Sequence, residues 1–354
     1  MTVDVVVTGG GTGGHVYPGL AVAEVLRGRG KAVHWVGAAG RMEADAVPRA
    51  GVEISLLPGR GAARGGGLKG IVSNAAGVFE LAGSVLRARK LLKQLQPAAV
   101  LGVGGFASGP TVVAAWTRRI PIVLAEQNRT PGRLNRFMAK RAKASAVAFP
   151  GTPLAHAEVT GNPVAERFFA ATGERRQPPV VLVFGGSGGS ELLNDAAVEL
   201  EARWRDRDDV VLRHVFGPKQ PKQFAAAPPA RAGYEPLSYE YEMPAVMAAA
   251  TVAVTRSGSS TCFELAATGL PAVLVPSKNV TDDHQTANAR WLASGGGAVL
   301  VPEAELTADR LASELDALLA DSGRLATMAA AVRELARPDA AERIADLVLE
   351  HGRA

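Results

Sequence analysis

The first residues equipped for chemistry stand at a glycine-rich turn, Thr8-Gly-Gly-Gly-Thr-Gly-Gly-His15, between an apolar run and a helical pattern. Gly9, Gly11 and Gly14 fit G-x-G-x-x-G, in which bare main chain lets amide N–H groups close on an anion at a helix start. His15 follows directly, and a helix N-terminus favours the neutral imidazole, able to accept a proton. Two further turns, LGVGGFASGP at 101–110 and VFGGSGGS at 183–190, have the same setting, and Thr255-Arg-Ser-Gly-Ser-Ser260 is a less glycine-rich fourth. Each follows a strand pattern and precedes a helix, the edge at which open α/β folds bind ligands. Any one of these turns is equally well explained by tight strand-to-helix packing. Their recurrence in both halves of the chain points to an anionic or polar ligand.

A dinucleotide is the obvious candidate, but its fingerprint wants an acidic residue about 20 positions on, ending the second strand. Here that strand ends Trp35-Val-Gly-Ala-Ala-Gly40, with no carboxylate before Glu43. The dinucleotide pattern fails its own check.

The elements that must carry these turns are short, mostly apolar runs. They are Val3–Val7, Ala32–Val36, Val52–Leu57, Ala99–Val103, Ile122–Ala125 and Ala144–Phe149, then Val180–Phe184, Val210–Phe216, Ala232–Leu237, Val252–Thr255, Ala272–Val275 and Ala298–Val301. Lack of alternation marks parallel strands covered on both faces. Between them apolar residues recur at helical spacing, as in Leu20, Ala23 and Leu26. Twelve such strands exceed one comfortable open sheet, so the expected fold is α/β with two doubly wound Rossmann-like domains. The expected divisions are residues 1–160, 161–338 and a C-terminal helix over 339–354 that returns to the first domain. The hinge is expected at Thr160-Gly-Asn-Pro163.

Composition narrows the classes. The 354 residues are 47% hydrophobic and 21% charged, and no apolar run approaches the length of a membrane span. The opening residues lack a signal-peptide pattern. Cys262 is the only cysteine, so no internal disulfide is expected, and the histidines show no zinc spacing. The one D-x-D match, Asp206-Arg-Asp208, lies in a charged stretch and reads as a solvated face; no metal or other cofactor is expected. Residues 59–150 hold fifteen Lys and Arg against Glu80 and Glu126, whereas residues 151–354 hold nineteen against twenty-seven acidic residues. Such asymmetry suggests that the first half meets an anionic partner.

The motifs GGGTGGHVYPGLAVA, GRMEADAVP, LGVGGFASGP, EQN at 126–128, GNPV at 161–164, GGSGGSELLN and RSGSSTCFELAATGLPAVLVP resemble the MurG family of peptidoglycan glycosyltransferases over about residues 3–300. The resemblance implies a GT-B fold with an acceptor domain, a UDP-sugar domain and a deep cleft between them. It implies an inverting, metal-independent transfer of N-acetylglucosamine from UDP-GlcNAc to the muramyl 4-hydroxyl of lipid I, giving lipid II, at the cytoplasmic face of the cell membrane. His15 is then the candidate general base, with Glu126 its rival. Thr12, Gly13, Gly14, Gly104, Gly105 and Asn128 are candidate contacts to the acceptor and the donor. For the donor, Ser187 is assigned the α-phosphate, and Arg256, Ser257 and Gly258 the diphosphate. Glu264 is assigned the ribose hydroxyls and Gln285 the sugar, and Glu240 belongs to the uracil region. Several positions depart from the family: Gly188 replaces a glutamine, Phe106 a tyrosine, Ala165 an arginine, with Arg167 two places later, and Glu240 an apolar residue.

A lipid-linked acceptor demands a membrane-facing surface. Val72, Val78, Phe79, Val85 and Leu86 with Arg87, Arg89, Lys90 and Lys93, and Trp116 beside Arg118 and Arg119, supply apolar and basic residues for an anionic leaflet. Nucleic acid is a poorer partner because no aromatics interleave the basic cluster. Alternative readings are an antibiotic-pathway GT-B glycosyltransferase, a UDP-GlcNAc 2-epimerase, or a non-catalytic UDP-sugar-binding scaffold that recruits other cell-wall synthesis proteins.

Overall fold

The computed structural model describes residues 3–58, 68–171, 177–218 and 232–353, with backbone alone over 68–81. The chain divides into two compact units, residues 1–163 with 339–354, and residues 164–338.

In the first unit, β1 (Val5–Thr8), β2 (Val33–Ala38), β3 (Glu53–Leu57), β4 (Ala99–Gly102), β5 (Ile122–Glu126), β6 (Ala144–Val147) and β7 (Ala157–Val159) form one sheet in the order β3-β2-β1-β4-β5-β6-β7. All its pairings are parallel, with Val5 opposite both Val33 and Ala99. Helices α1 (Gly13–Gly28), α2 (Glu43–Arg49), α3 (Leu68–Leu95), α4 (Gly109–Thr117) and α5 (Arg133–Met138) lie between these strands in the chain. Every residue of β1, β4, β5 and β6 is buried, as continuous apolar strands require when helices cover both faces.

The second unit repeats the plan. Its strands β8 (Val180–Phe184), β9 (Val211–Val215), β10 (Tyr234–Leu237), β11 (Val252–Thr255), β12 (Ala272–Leu274) and β13 (Ala298–Leu300) lie in the order β10-β9-β8-β11-β12-β13, again all parallel. Its helices are α6 (Glu166–Ala170), α7 (Glu191–Arg203), α8 (Met243–Ala249), α9 (Ser259–Thr268), α10 (His284–Ser294), α11 (Ala308–Leu319) and α12 (Ser322–Glu334). A final helix, α13 (Ala340–His351), belongs to the first unit, where Ile344, Ala345 and Val348 join the core beside Val22, Ala23 and Leu26 of α1.

Strand order reverses between β1 and β4 in one unit and between β8 and β11 in the other. The chain therefore leaves each of these strands in opposite directions across the sheet, which opens a crevice at their carboxyl ends. The turns that follow β1, β4, β8 and β11 are the four singled out in the sequence. Two local expectations change. The first strand begins at Val5, because Val3 precedes the ladder. A thirteenth strand, β7, pairs Ser145 with Ala157 at the sheet edge; three residues, mostly exposed, are too few to show a strand period.

One buried polar network sits in the second unit. His214 of β9 is fully buried, its Nδ1 2.9 Å from the Tyr234 hydroxyl and its Nε2 3.0 Å from Asn194 Oδ1 on α7. Asn194 Nδ2 donates to the Phe216 carbonyl at 3.0 Å. Burial pulls the imidazole down to about 4 and pushes the Tyr234 hydroxyl up to about 12. Because the folded pKa lies below the unfolded one, the unfolded chain binds the proton first on acidification, and stability falls as pH drops below about 6.5. The partly buried Glu264 carboxyl, raised to about 7, works in the opposite sense over the same window. The effect of His214 is therefore read as a difference between variants. Wild-type protein should lose about 2 kcal/mol relative to His214→Gln between pH 7 and pH 5, measured by urea denaturation; parallel pH profiles would contradict this.

Candidate active site

In the first unit the turn after β1 is held from three sides. Trp35 Nε1 donates to the Gly9 carbonyl at 3.0 Å, Gly10 N–H to the Gly104 carbonyl at 3.4 Å, and Gly11 N–H to Glu43 Oε2 at 2.8 Å. A Cβ on Gly10 would lie 2.1 Å from the Glu43 carboxyl carbon, and one on Gly105 would lie 2.2 Å from the Gly10 carbonyl oxygen. Gly10 and Gly105 are thus dictated by close packing of the turns after β1 and β4. Gly11, with φ +91° and no atom within 4 Å of its missing side chain, faces open space, and so does Gly14, with only Thr12 Oγ1 at 3.9 Å. Gly13 lies beside the exposed Tyr17 and Met42. The motif therefore splits into glycines that serve packing and glycines that leave room for a ligand.

Thr12 is the N-cap of α1, and its Oγ1 lies 2.9 Å from Nδ1 of His15, the third helical residue. The imidazole lies against Gly104, where a Cβ would be 2.8 Å from its Cδ2 and 3.1 Å from its Nε2. The same absent Cβ would sit 3.4 Å from Gln127 Oε1. The fold brings Thr12, His15, Gly104 and Gln127 together.

Glu126 is bound to its own loop. It is 5% exposed, and its oxygens accept Asn128 N–H at 3.0 Å, Gly132 N–H at 2.9 Å and Asn135 Nδ2 at 2.9 Å. Burial raises its pKa, and these hydrogen bonds oppose the rise. With both oxygens engaged, it organises the loop from 126 to 135. Asn128 is partly exposed on that loop.

In the second unit the turn after β8 keeps Gly186 and Gly188 in open space and leaves Ser187 exposed, while a Cβ on Gly185 would strike Ser190 N at 2.3 Å. Gly258 caps α9 with open space beside it. Three other candidate residues are engaged by the chain itself. The Arg256 guanidinium donates to Ser190 Oγ at 3.0 Å, the Val275 carbonyl at 3.1 Å and Glu303 Oε1 at 2.9 Å. It is a partly buried brace between the turns after β8, β11 and β12. Ser257 is fully buried, its Oγ donating to the Gln285 carbonyl at 2.8 Å, so it fastens α9 to α10. Glu240 accepts from Arg213 at 2.6 Å and from Glu242 N–H at 2.9 Å and so fixes its own loop. Gln285 Oε1 accepts Ser277 N–H at 2.9 Å, which orients the amide with its Nε2 as the donor.

Glu264 lies on α9 between the buried Phe263 and Leu265. Burial raises its carboxyl to about 7, and the positive charge of Arg167 opposes the rise. Arg167, on α6 two places beyond Ala165, is thus within electrostatic reach of this carboxylate. The D-x-D residues Asp206 and Asp208 are exposed ahead of β9, where Arg207 pairs with Asp209 and Asp316. Residues that the sequence alone did not single out as functional are Glu43, Asn135 and Glu303. Glu43 lies inside a quoted motif, but nothing in the spacing of Asn135 or Glu303 signals a partner.

Known proteins can now be set beside this geometry. Residues 5–147 match the glycosyltransferase family 28 N-terminal domain and residues 180–344 its C-terminal domain. The UDP-N-acetylglucosamine--N-acetylmuramyl-(pentapeptide) pyrophosphoryl-undecaprenol N-acetylglucosamine transferase of Alkalilimnicola ehrlichii is 41% identical, with 100% of each chain covered. The Aeromonas hydrophila enzyme of the same name is 40% identical over 98% of this chain and 96% of its own. The crystal structure of Acinetobacter baumannii MurG superposes with a TM-score of 0.80 at 29% identity, covering 98% of this chain and 99% of that one. The chain belongs to the MurG family. Its fold is GT-B and it is a glycosyltransferase. The calicheamicin glycosyltransferase CalG4 and a Listeria monocytogenes putative UDP-N-acetylglucosamine 2-epimerase, at 17% and 14% identity with TM-scores of 0.71 and 0.70, share the fold alone.

The first unit of this MurG-family chain also carries an apolar and basic surface. Leu86, Phe137 and Trp116 are 67%, 58% and 43% exposed, and the Arg141 guanidinium stands 4.6 Å from the Phe137 ring and 4.9 Å from the Trp116 ring. Arg89 donates to Thr117 Oγ1 at 2.6 Å, linking α3 to α4. The side chains of Val72, Val78 and Phe79 lie outside the described residues. Among the described residues, no helix is long and apolar enough to cross a membrane.

The two kinds of glycine are separable by substitution. Gly10→Ala, which drives a methyl into Glu43, should lower unfolding stability by more than about 2 kcal/mol. Gly11→Ala, which meets only its own positive φ, should lower it by about 1 kcal/mol. Urea denaturation of the two variants checks the order.

Proposed function

We propose that this protein transfers N-acetylglucosamine from UDP-GlcNAc to the 4-hydroxyl of the muramyl residue in a lipid-linked muramyl-pentapeptide pyrophosphate, with inversion at the anomeric carbon. The observation that carries this reading is full-length identity of about 40% to relatives bearing that name, joined to open main chain at the switch point of each sheet.

The first unit takes the acceptor. In the tautomer whose Nδ1–H donates to Thr12, His15 Nε2 carries the lone pair that removes the hydroxyl proton as the oxygen attacks. Gly11, Gly13 and Gly14 offer main chain to the acceptor's polar groups, and Gly104 leaves room for the imidazole. The second unit takes the donor. Ser187 and the N–H groups around Gly186, Gly188 and Gly258 meet the diphosphate, so that departing UDP is stabilised by helix N-termini. Arg256 and Ser257 hold these turns in place. Glu264 accepts two ribose hydroxyls, and the Gln285 amide meets the sugar. Leu86, Trp116 and Phe137 enter the headgroup region of the inner leaflet while Arg87, Lys90 and Arg141 meet lipid phosphates, each cation contributing about 1 kcal/mol.

Incubation with labelled UDP-GlcNAc and a short-chain lipid I analogue should give a product one N-acetylhexosamine heavier; release of UDP without transfer would refute the reading. His15→Ala should lower kcat by about 10²- to 10⁴-fold. Only the ionised Glu264 can accept two hydroxyls, so donor affinity should strengthen about tenfold from pH 6 to pH 8, and Glu264→Gln should flatten that dependence. Binding to vesicles should require anionic lipid and weaken with salt, and replacing Trp116 and Phe137 by serine should weaken it further; indifference to both would exclude this surface.

A further inference from the structure

We propose that Glu43 is a positioning residue for the transfer reaction, setting the acceptor turn and, through it, His15. The inference rests on the assignment of residues 11–15 to the acceptor.

Glu43 opens α2 and is fully buried. Burying a carboxylate is unfavourable unless its oxygens are hydrogen-bonded, and here each takes a main-chain donor. Oε2 accepts Gly11 N–H at 2.8 Å and Oε1 accepts Ala38 N–H at 3.1 Å. Among the described residues neither oxygen meets a cation. Two glycines make room for this side chain: a Cβ on Gly10 would lie 2.1 Å from its carboxyl carbon, and a Cβ on Gly37 would lie 2.6 Å from its Cγ. Three segments therefore converge on one carboxylate: the end of β2, the start of α2 and the glycine turn.

A dinucleotide-binding fold places its ribose-holding acid near the end of this same second strand. Here the acid has turned inward and spends both oxygens on the chain itself. The turn is thereby closed to a ribose and held for another ligand. Gly11 is the residue that needs such an anchor, since it sits at positive φ with open space on its ligand side. The next residue, Thr12, caps α1 and pairs with His15 Nδ1. Displacement of Gly11 is passed along one residue of chain and one hydrogen bond to the imidazole. An apolar residue would fill the site as well; only an acceptor at each end of a planar group ties Gly11 to Ala38.

The test uses the full chain with Glu43→Gln, which keeps the size but turns one acceptor into a donor, and Glu43→Asp, too short to span both N–H groups. Hydrogen exchange of residues 9–16 should accelerate at least tenfold in both variants, with the second unit unchanged. With UDP-GlcNAc and the lipid I analogue, kcat should fall at least tenfold while the KM for UDP-GlcNAc stays within twofold. In a His15→Ala background the same Glu43 substitutions should change kcat by less than threefold, because the group they position is gone. Unchanged exchange at residues 9–16 overturns the proposal, as does a loss that multiplies fully with His15→Ala or that falls on donor KM. Should wild-type protein fail to transfer the sugar, the functional reading falls, while the exchange experiment still decides whether Glu43 holds the turn.

Discussion

A turn that offers main-chain N–H groups to a ligand must leave those groups uncovered, yet uncovered backbone at the end of a strand has little to hold it still. That conflict shapes both units of this protein. Around residues 9–14 it is resolved from behind: Glu43, Trp35 and the Gly104 carbonyl bind one side of the turn, so that the other side stays open. Around 126–135 the fully engaged Glu126 carboxylate does the same for the loop that presents Asn128. The buried acids are thus spent on the protein's own backbone, and the groups left open are small, polar and backed by fixed neighbours. Preorganisation of this kind matters where developing charge must be met without rearrangement.

The second unit solves the problem with side-chain pairs. Arg256 joins Ser190, Val275 and Glu303, and Glu303 in turn accepts Lys278 N–H at 2.9 Å. Ser257 ties α9 to the first turn of α10. Four separate turns become one connected surface, and charge is balanced inside it because Arg256 and Glu303 cancel. Glu264 stands apart, with a carboxyl that burial raises to about 7 against the opposing charge of Arg167. A group left in that condition suits a site that a hydroxyl-bearing ligand completes.

The same fold is shared by proteins named for other reactions, as the calicheamicin glycosyltransferase and putative epimerase structures illustrate. In this chain the open main chain is carried by the turns after the switch-point strands, while the strands of the switch point are buried on both faces. The apolar and basic flank of the first unit lies on α3, α4 and α5, of which only α4 follows a switch-point strand.

The sequence alone was enough for the α/β class, twelve of the thirteen strands among the described residues, the four turns, and the family with its reaction. These signals are local: apolar runs, glycine spacing and short motifs are each written within about a dozen residues. It was also enough to reject a dinucleotide, by the missing acid at the end of β2. It could not assign jobs within a turn, because those depend on neighbours distant in the chain. Glu43 reaches Gly11 across 32 positions and Arg256 reaches Glu303 across 47. Only the folded chain revealed that Gly10 serves packing while Gly11 serves open space, that Glu126, Glu240, Arg256 and Ser257 brace the site, and that Gln127 comes beside His15. Residue type says which bonds a side chain can make; tertiary structure decides which of them its neighbours have already taken.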